Sequence, residues 1–94
     1  MSIEIETTMD MDKILSMSRV ISRHQDLAMD DDLKLKCGLT SMSLVLLLTE
    51  LYDEFKLDIS MVSEREFFGL KSLSDIVAMM QNHVRSSGAT NVLL

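Results

Sequence analysis

Twice in this chain, apolar residues fall at positions i, i+3, i+4, i+7 and i+11. The first set is Leu44, Leu47, Leu48, Leu51 and Phe55; the second is Leu73, Ile76, Val77, Met80 and Val84. A backbone that turns once every ~3.6 residues gathers each set onto one face, whereas a strand would divide it between two. Each stripe therefore predicts an amphipathic helix that needs a partner to cover its apolar side. The chain has no proline and only three glycines, so it lacks the turn punctuation of a sandwich or barrel. Its aromatics are Tyr52, Phe55, Phe67 and Phe68, which leaves Leu, Ile, Val and Met to fill the core. The nine methionines read as flexible core filler.

Weaker signals supply the remaining elements. Ile14, Met17 and Ile21 predict a first helix reaching about His24, capped by Thr7 or Thr8, with Asp10 and Asp12 in its first turn where the helix dipole favours anions. Residues 25–40 show no sustained period. They read as a long ordered loop pinned by Leu27, Met29, Leu33 and Leu35, with Asp30, Asp31 and Asp32 as a solvated acidic turn. The second helix opens at Ser41 and is expected to end near Lys56. A short third helix spans Ser63–Phe68 and closes at Gly69. The last begins at Ser72-Leu73-Ser74-Asp75, which has the form of a capping box, and is expected to stop at Ser86-Ser87-Gly88. The expectation is an all-α, four-helix bundle with a long loop between helices 1 and 2 and a short third helix. A flexible segment 1–8, a domain 9–87 and a tail 88–94 complete it. Ninety-four residues suit one domain.

Charge and composition narrow the function. The formal charge is −6, with basic residues scattered rather than striped, so a nucleic acid would be repelled and basic partner proteins attracted. Cys37 is the single cysteine. With no apolar run of spanning length and no leader pattern, a cytoplasmic protein without membrane association is expected. No catalytic constellation of base and nucleophile is visible, and no metal set. Cys37 reads as a half-buried packing residue, and His24 and His83 as surface or helix-end residues.

Ser41 stands apart. It follows Gly38-Leu39-Thr40 and opens the strongest amphipathic helix. A serine there commonly serves as an N-cap. The same place also suits a phosphodiester, because free N–H groups and the helix dipole both favour phosphate.

Cys37-Gly38-Leu39-Thr40-Ser41-Met42, then Leu44-Val45-Leu46-Leu47-Leu48, then Glu50-Leu51-Tyr52-Asp53-Glu54-Phe55 resembles the acyl carrier proteins. Their pattern is Leu-Gly-x-Asp-Ser-Leu, a helix ending Leu-Glu-Glu-Glu-Phe, and a segment ending Ile-Pro. Leu57-Asp58-Ile59-Ser60 is similar to that last piece, and Phe67 to Leu73 to the link into the family's final helix; the likeness covers roughly Met11 to Val84. The resemblance implies a non-catalytic carrier with 4′-phosphopantetheine attached covalently to Ser41, its thiol holding cargo as a thioester. It implies a phosphopantetheinyl transferase and ketosynthase, acyltransferase or other acyl-processing enzymes as partners. The implied docking face comprises Thr40, Met42, Val45, Leu46, Thr49, Glu50 and Asp53. Met42 is expected to border the cleft where cargo rests.

The chain departs from the pattern in four places. Thr40 stands for aspartate, Met42 for leucine, and Leu46 and Tyr52 occupy positions that are commonly acidic. These changes favour a dedicated partner set, as in polyketide or other specialised acyl biosynthesis. A peptidyl carrier would show Gly-Gly-x-Ser instead, and an unmodified interaction module with the carrier fold is the other reading.

Overall fold

The computed structural model of the chain describes residues 10–93, with side chains through Arg85. In order they form helix α1 (Met11–Ser22), helix α2 (Leu33–Cys37), helix α3 (Ser41–Glu54), a 3₁₀ turn (Ile59–Met61), helix α4 (Glu64–Phe68) and helix α5 (Leu73–Leu93). There is no strand among the described residues. The all-helical expectation holds. The core lies where α1, α3 and α5 turn their apolar faces together, with Ile14, Leu47, Leu51, Leu73, Ile76 and Met80 all at 0% exposure. Burial of such side chains is the principal source of stability in a bundle of this kind, at ~1.5–3 kcal/mol each.

Each end is set by local chemistry. α1 is capped by Asp10, whose carboxylate accepts from the N–H of Lys13 at 3.1 Å. The expected caps Thr7 and Thr8, and the segment 1–8, lie outside the described residues. An N-cap must directly precede the first helical residue, and Asp10 does so. Ile14 is buried, with Met17 and Ile21 packed against it at the margin. His24 sits just past the helix end, with Nδ1 2.9 Å from Ser22 O, as expected.

The stretch 25–40 is not an unbroken loop. Asp32 caps a one-and-a-half-turn helix, its Oδ1 accepting from Lys34 N at 2.9 Å and Leu35 N at 3.1 Å, and Gly38 closes it at φ 66°. That left-handed conformation is one only glycine adopts without strain. Leu27 and Leu33 pin the segment as expected, but Leu35 is 87% exposed, because two residues along a short helix bring it to the far side from Leu33. Backbone bonds tie the segment to the start of α5: Leu33 N donates to Lys71 O at 2.7 Å and Ser74 N to Met29 O at 3.0 Å. Asp30 accepts from the Ser74 hydroxyl and Asp31 from Ala28 N. Each acid of the triad thus has a local structural partner, and no metal-holding group occurs among the described residues.

α3 stops at Glu54, two residues before Lys56, which takes φ 60° beyond the helix. That turn lets Leu57 N donate back to Tyr52 O at 2.8 Å, satisfying a carbonyl of the last turn. α4 opens with a capping box between Ser63 and Glu66. α5 opens with the expected one: Asp75 N donates to Ser72 Oγ at 3.3 Å and Ser72 N to Asp75 Oδ2 at 3.2 Å. α5 does not stop at Ser86-Ser87-Gly88 but continues to Leu93. A single glycine costs a helix only about 1 kcal/mol against alanine and keeps its N–H, so it weakens the helix without ending it. No helix among the described residues is long and apolar enough to cross a membrane.

Candidate functional site

The N-terminal end of α3 is built so that Ser41 is left unengaged. Thr40, not Ser41, is the N-cap, its Oγ1 accepting from Ser43 N at 3.2 Å. Ser41 is the first helical residue, exposed to solvent. No group among the described residues accepts from the Ser41 or Met42 N–H or bonds the Ser41 hydroxyl. These are two of the four N–H groups that any helix leaves free at its start.

A cleft of about 170 Å³ opens beside Ser41. Leu39, Leu44, Phe67 and Leu70 give it an apolar lining, Lys34 and Lys71 contribute cations, and Asp32, committed to capping α2, contributes the one carboxylate. In a chain of net charge −6, two lysines lining the cleft beside Ser41 make a local environment that tolerates a phosphodiester. The residues present therefore fit a phosphate-linked group. An accessible hydroxyl, free N–H groups and two cations converge, and the apolar lining suits the uncharged length of an attached arm.

The expected docking residues Met42, Val45, Leu46, Thr49, Glu50 and Asp53 all lie on the outward face of α3, at i, i+3, i+4, i+7, i+8 and i+11. Met42 is 82% exposed, Leu46 53% and Val45 48%. Thr49 turns its hydroxyl back to Val45 O at 2.8 Å, which leaves its methyl outward. Thr40 is exposed at the head of this face. Apolar side chains thus crowd the end near Ser41, and the acids Glu50 and Asp53 occupy the other end. Glu54, next to Asp53, is paired with Lys13 of α1; the hydrogen bond from Lys13 holds its carboxyl below the usual range and raises the Lys13 ammonium. Met42 lines neither the cleft beside Ser41 nor the second groove described below; it stands outward, 82% exposed.

That second groove, about 270 Å³, runs between α3 and α4, lined by Val45, Leu48, Ile59, Val62, Phe67 and Phe68 among others. Phe67 and Phe68, in edge contact with ring centres 5.4 Å apart, line both openings.

Two residues read as surface groups lie inside. Tyr52 is 0% exposed and His83 7%; the Tyr52 hydroxyl is 2.7 Å from His83 Nδ1, and the rings meet edge-on. Burial pushes the Tyr52 phenol well above its ordinary value, so it stays protonated. The signal was available. Tyr52 follows Leu48 by four residues, and His83 follows Met80 by three and Met79 by four, so both sit in register with buried stripes. Cys37 is half-buried against the core, as expected.

A helical bundle that offers an unengaged serine hydroxyl at the head of an amphipathic helix has the architecture of a carrier domain. The family model described as the phosphopantetheine attachment site matches residues 14–80, and the chain belongs to that family. No curated protein and no solved structure matches it. Domains of this family bear covalent 4′-phosphopantetheine and act as carriers rather than as catalysts.

Proposed function

We propose that Ser41 is the attachment residue and that the chain carries acyl intermediates, as thioesters on the arm, to ketosynthase, acyltransferase or related enzymes of a specialised pathway such as polyketide synthesis. The observation that supports Ser41 is its uncommitted, exposed hydroxyl at the first position of α3, made possible by Thr40 taking the capping role. In attachment, the Ser41 oxygen would bond to the phosphorus of a donor that carries the arm through a pyrophosphate; the P–O bond to the donor's nucleotide breaks, the nucleotide phosphate leaves with the electron pair, and the serine proton goes to a base that the transferase supplies. The Ser41 and Met42 N–H groups, with Lys34 and Lys71 nearby, then face the resulting phosphodiester. The bound group supplies a terminal thiol for the cargo. The tether keeps that cargo at high effective concentration wherever the domain docks.

The acyl reading over the peptidyl one rests on Cys37-Gly38-Leu39-Thr40 standing where a peptidyl carrier has Gly-Gly-x. The dedicated partner set rests on the apolar upper half of the α3 face, Met42, Val45 and Leu46. A partner that covers it must present an apolar patch next to a basic one, which a partner selective for an all-acidic face would not.

Co-expression with a broad-specificity phosphopantetheinyl transferase is expected to add the mass of the arm to the wild type and nothing to Ser41→Ala, read by intact mass. An unmodified wild type, isolated in a stable stoichiometric complex, would replace this reading with that of an interaction module.

A further inference from the structure

A line of polar contacts links three helices through one imidazole. The Tyr52 hydroxyl on α3 lies 2.7 Å from His83 Nδ1 on α5, and His83 Nε2 lies 3.2 Å from Glu66 Oε2 on α4. The other carboxylate oxygen, Glu66 Oε1, accepts from Ser63 N at 2.9 Å. Tyr52 holds its proton, and Glu66, kept below the usual carboxylate range first by the Ser63 N–H, can only accept. One arrangement satisfies every atom: a neutral imidazole with Nδ1 accepting from the phenol and Nε2–H donating to the carboxylate. The chain of donors runs from the core outward and ends on the capping box of α4.

α4 is five residues long, too short to hold a helix in water unaided. It is attached through the partly buried Phe67 and through the Glu66 carboxylate, while Phe68 is 73% exposed. Because Phe67 and Phe68 line both the cleft beside Ser41 and the groove between α3 and α4, any displacement of α4 changes both openings at once.

We infer that Tyr52, His83 and Glu66 form a latch that holds α4 closed on the bundle and so sets the width of the two openings. His83 and Glu66 act as positioning residues. When the latch is released, α4 lifts while α1, α3 and α5 stay packed through their aliphatic faces. This holds whether or not Ser41 is modified, so the test uses the full, unmodified chain.

Glu66→Gln keeps the side-chain shape but offers one acceptor where two donors, Ser63 N–H and His83 Nε2–H, converge. Amide hydrogen exchange over residues 63–69 is expected to accelerate about tenfold or more, the scale of one lost charge-assisted bond. Amides of α1 and of α5 up to Val84 should keep their rates, and the fluorescence of the apolar dye anilinonaphthalene sulfonate should rise. Tyr52→Phe, which takes the donor from His83 Nδ1, should move the same amides in the same direction. Unchanged exchange over 63–69, or an acceleration spread evenly over all helices, would overturn the latch. Imidazole nitrogen shifts of the wild type near neutral pH give a check independent of any variant: the Nε2–H tautomer is expected, and an Nδ1–H or doubly protonated ring would overturn it.

Discussion

The two halves of α3 are built from the same residue types and put to opposite use. In its C-terminal half Leu48, Leu51 and Tyr52 are sealed at 0–1% exposure. In its N-terminal half Met42, Val45 and Leu46 stand half to four-fifths exposed. The difference is one of helix face: Leu47, Leu48, Leu51 and Tyr52 turn toward the core, whereas Met42, Val45 and Leu46 lie on the outward face, whose apolar side chains are confined to its upper turns. One end of the helix anchors the fold, and the other presents a hydroxyl and an apolar surface at some cost in solvation. Under the proposed function, these exposed apolar side chains belong to the docking face that a partner covers.

The sharpest way to break this contrast is to truncate the anchored half. Leu51→Ala should destabilise the chain by about 2–5 kcal/mol, the range for cavity-forming core truncations, read by urea unfolding. Met42→Ala should leave the midpoint nearly unchanged, since Met42 is 82% exposed. Equal losses at the two sites would show that the halves are not distinct. A second, smaller effect separates adjacent residues. Thr40→Ala removes the cap of α3 and should cost about 1 kcal/mol. Ser41→Ala should cost less than half as much, even though it is expected to abolish attachment. If Ser41→Ala proved the more destabilising, its hydroxyl would be structurally committed and its candidacy as the attachment point would fall.

What could be read in the sequence follows the same division. The stripes of α3 and α5 were legible because burial on one side of a helix leaves a period that survives in the residue order. Capping at Ser72–Asp75 was legible because its donors and acceptors lie three residues apart. α2 left a fainter mark: Asp32 and Gly38 stand at cap-like spacing around Leu33–Cys37, but five residues are too few to show a period. Tyr52 reads in the sequence only as standing at a commonly acidic position of the family and His83 as a surface or helix-end residue, and neither reading gives their burial. Their partnership, spanning 31 residues, is a property of the packed bundle that no local pattern encodes. At the site, Ser41 is singled out by its place at the head of a helix together with the resemblance to the acyl carrier proteins, and that resemblance also implies the docking face. That Thr40 would take the cap, and that Lys34 and Lys71 would flank the serine, depended on how three separate segments converge.

Acid should act on the site half before the core. Glu66 has its carboxyl lowered by the Ser63 N–H and, more weakly, by His83. A group depressed on folding stabilises the fold above its unfolded value and loses that contribution as pH falls through the folded one. Below pH of about 4.5, the ordinary glutamate value, protonation of Glu66 should therefore loosen α4. Exchange at residues 63–69 should rise on acidification while the buried turns of α5 remain protected. Simultaneous loss of protection throughout would mean that α4 is bound into the core as firmly as α3 is.

The smallest expected effect concerns the C-terminal end of α3. Glu54, at the anchored end, faces Lys13 and is shielded by it, while Glu50 and Asp53 are open to partners. An exposed ion pair contributes little to stability because water and salt screen it, so Lys13→Ala should leave the unfolding midpoint where it is. Glu54 would return toward its ordinary value without its lysine, yet stay ionised at neutral pH, and the C-terminal end of α3, beside Glu50 and Asp53, would gain an unshielded negative charge. A transferase with a basic docking surface should then modify the variant at a modestly higher kcat/KM at low ionic strength, with the advantage fading as salt is added. A fall in kcat/KM would reveal that Lys13 itself touches the partner, and would extend the docking face from α3 onto α1.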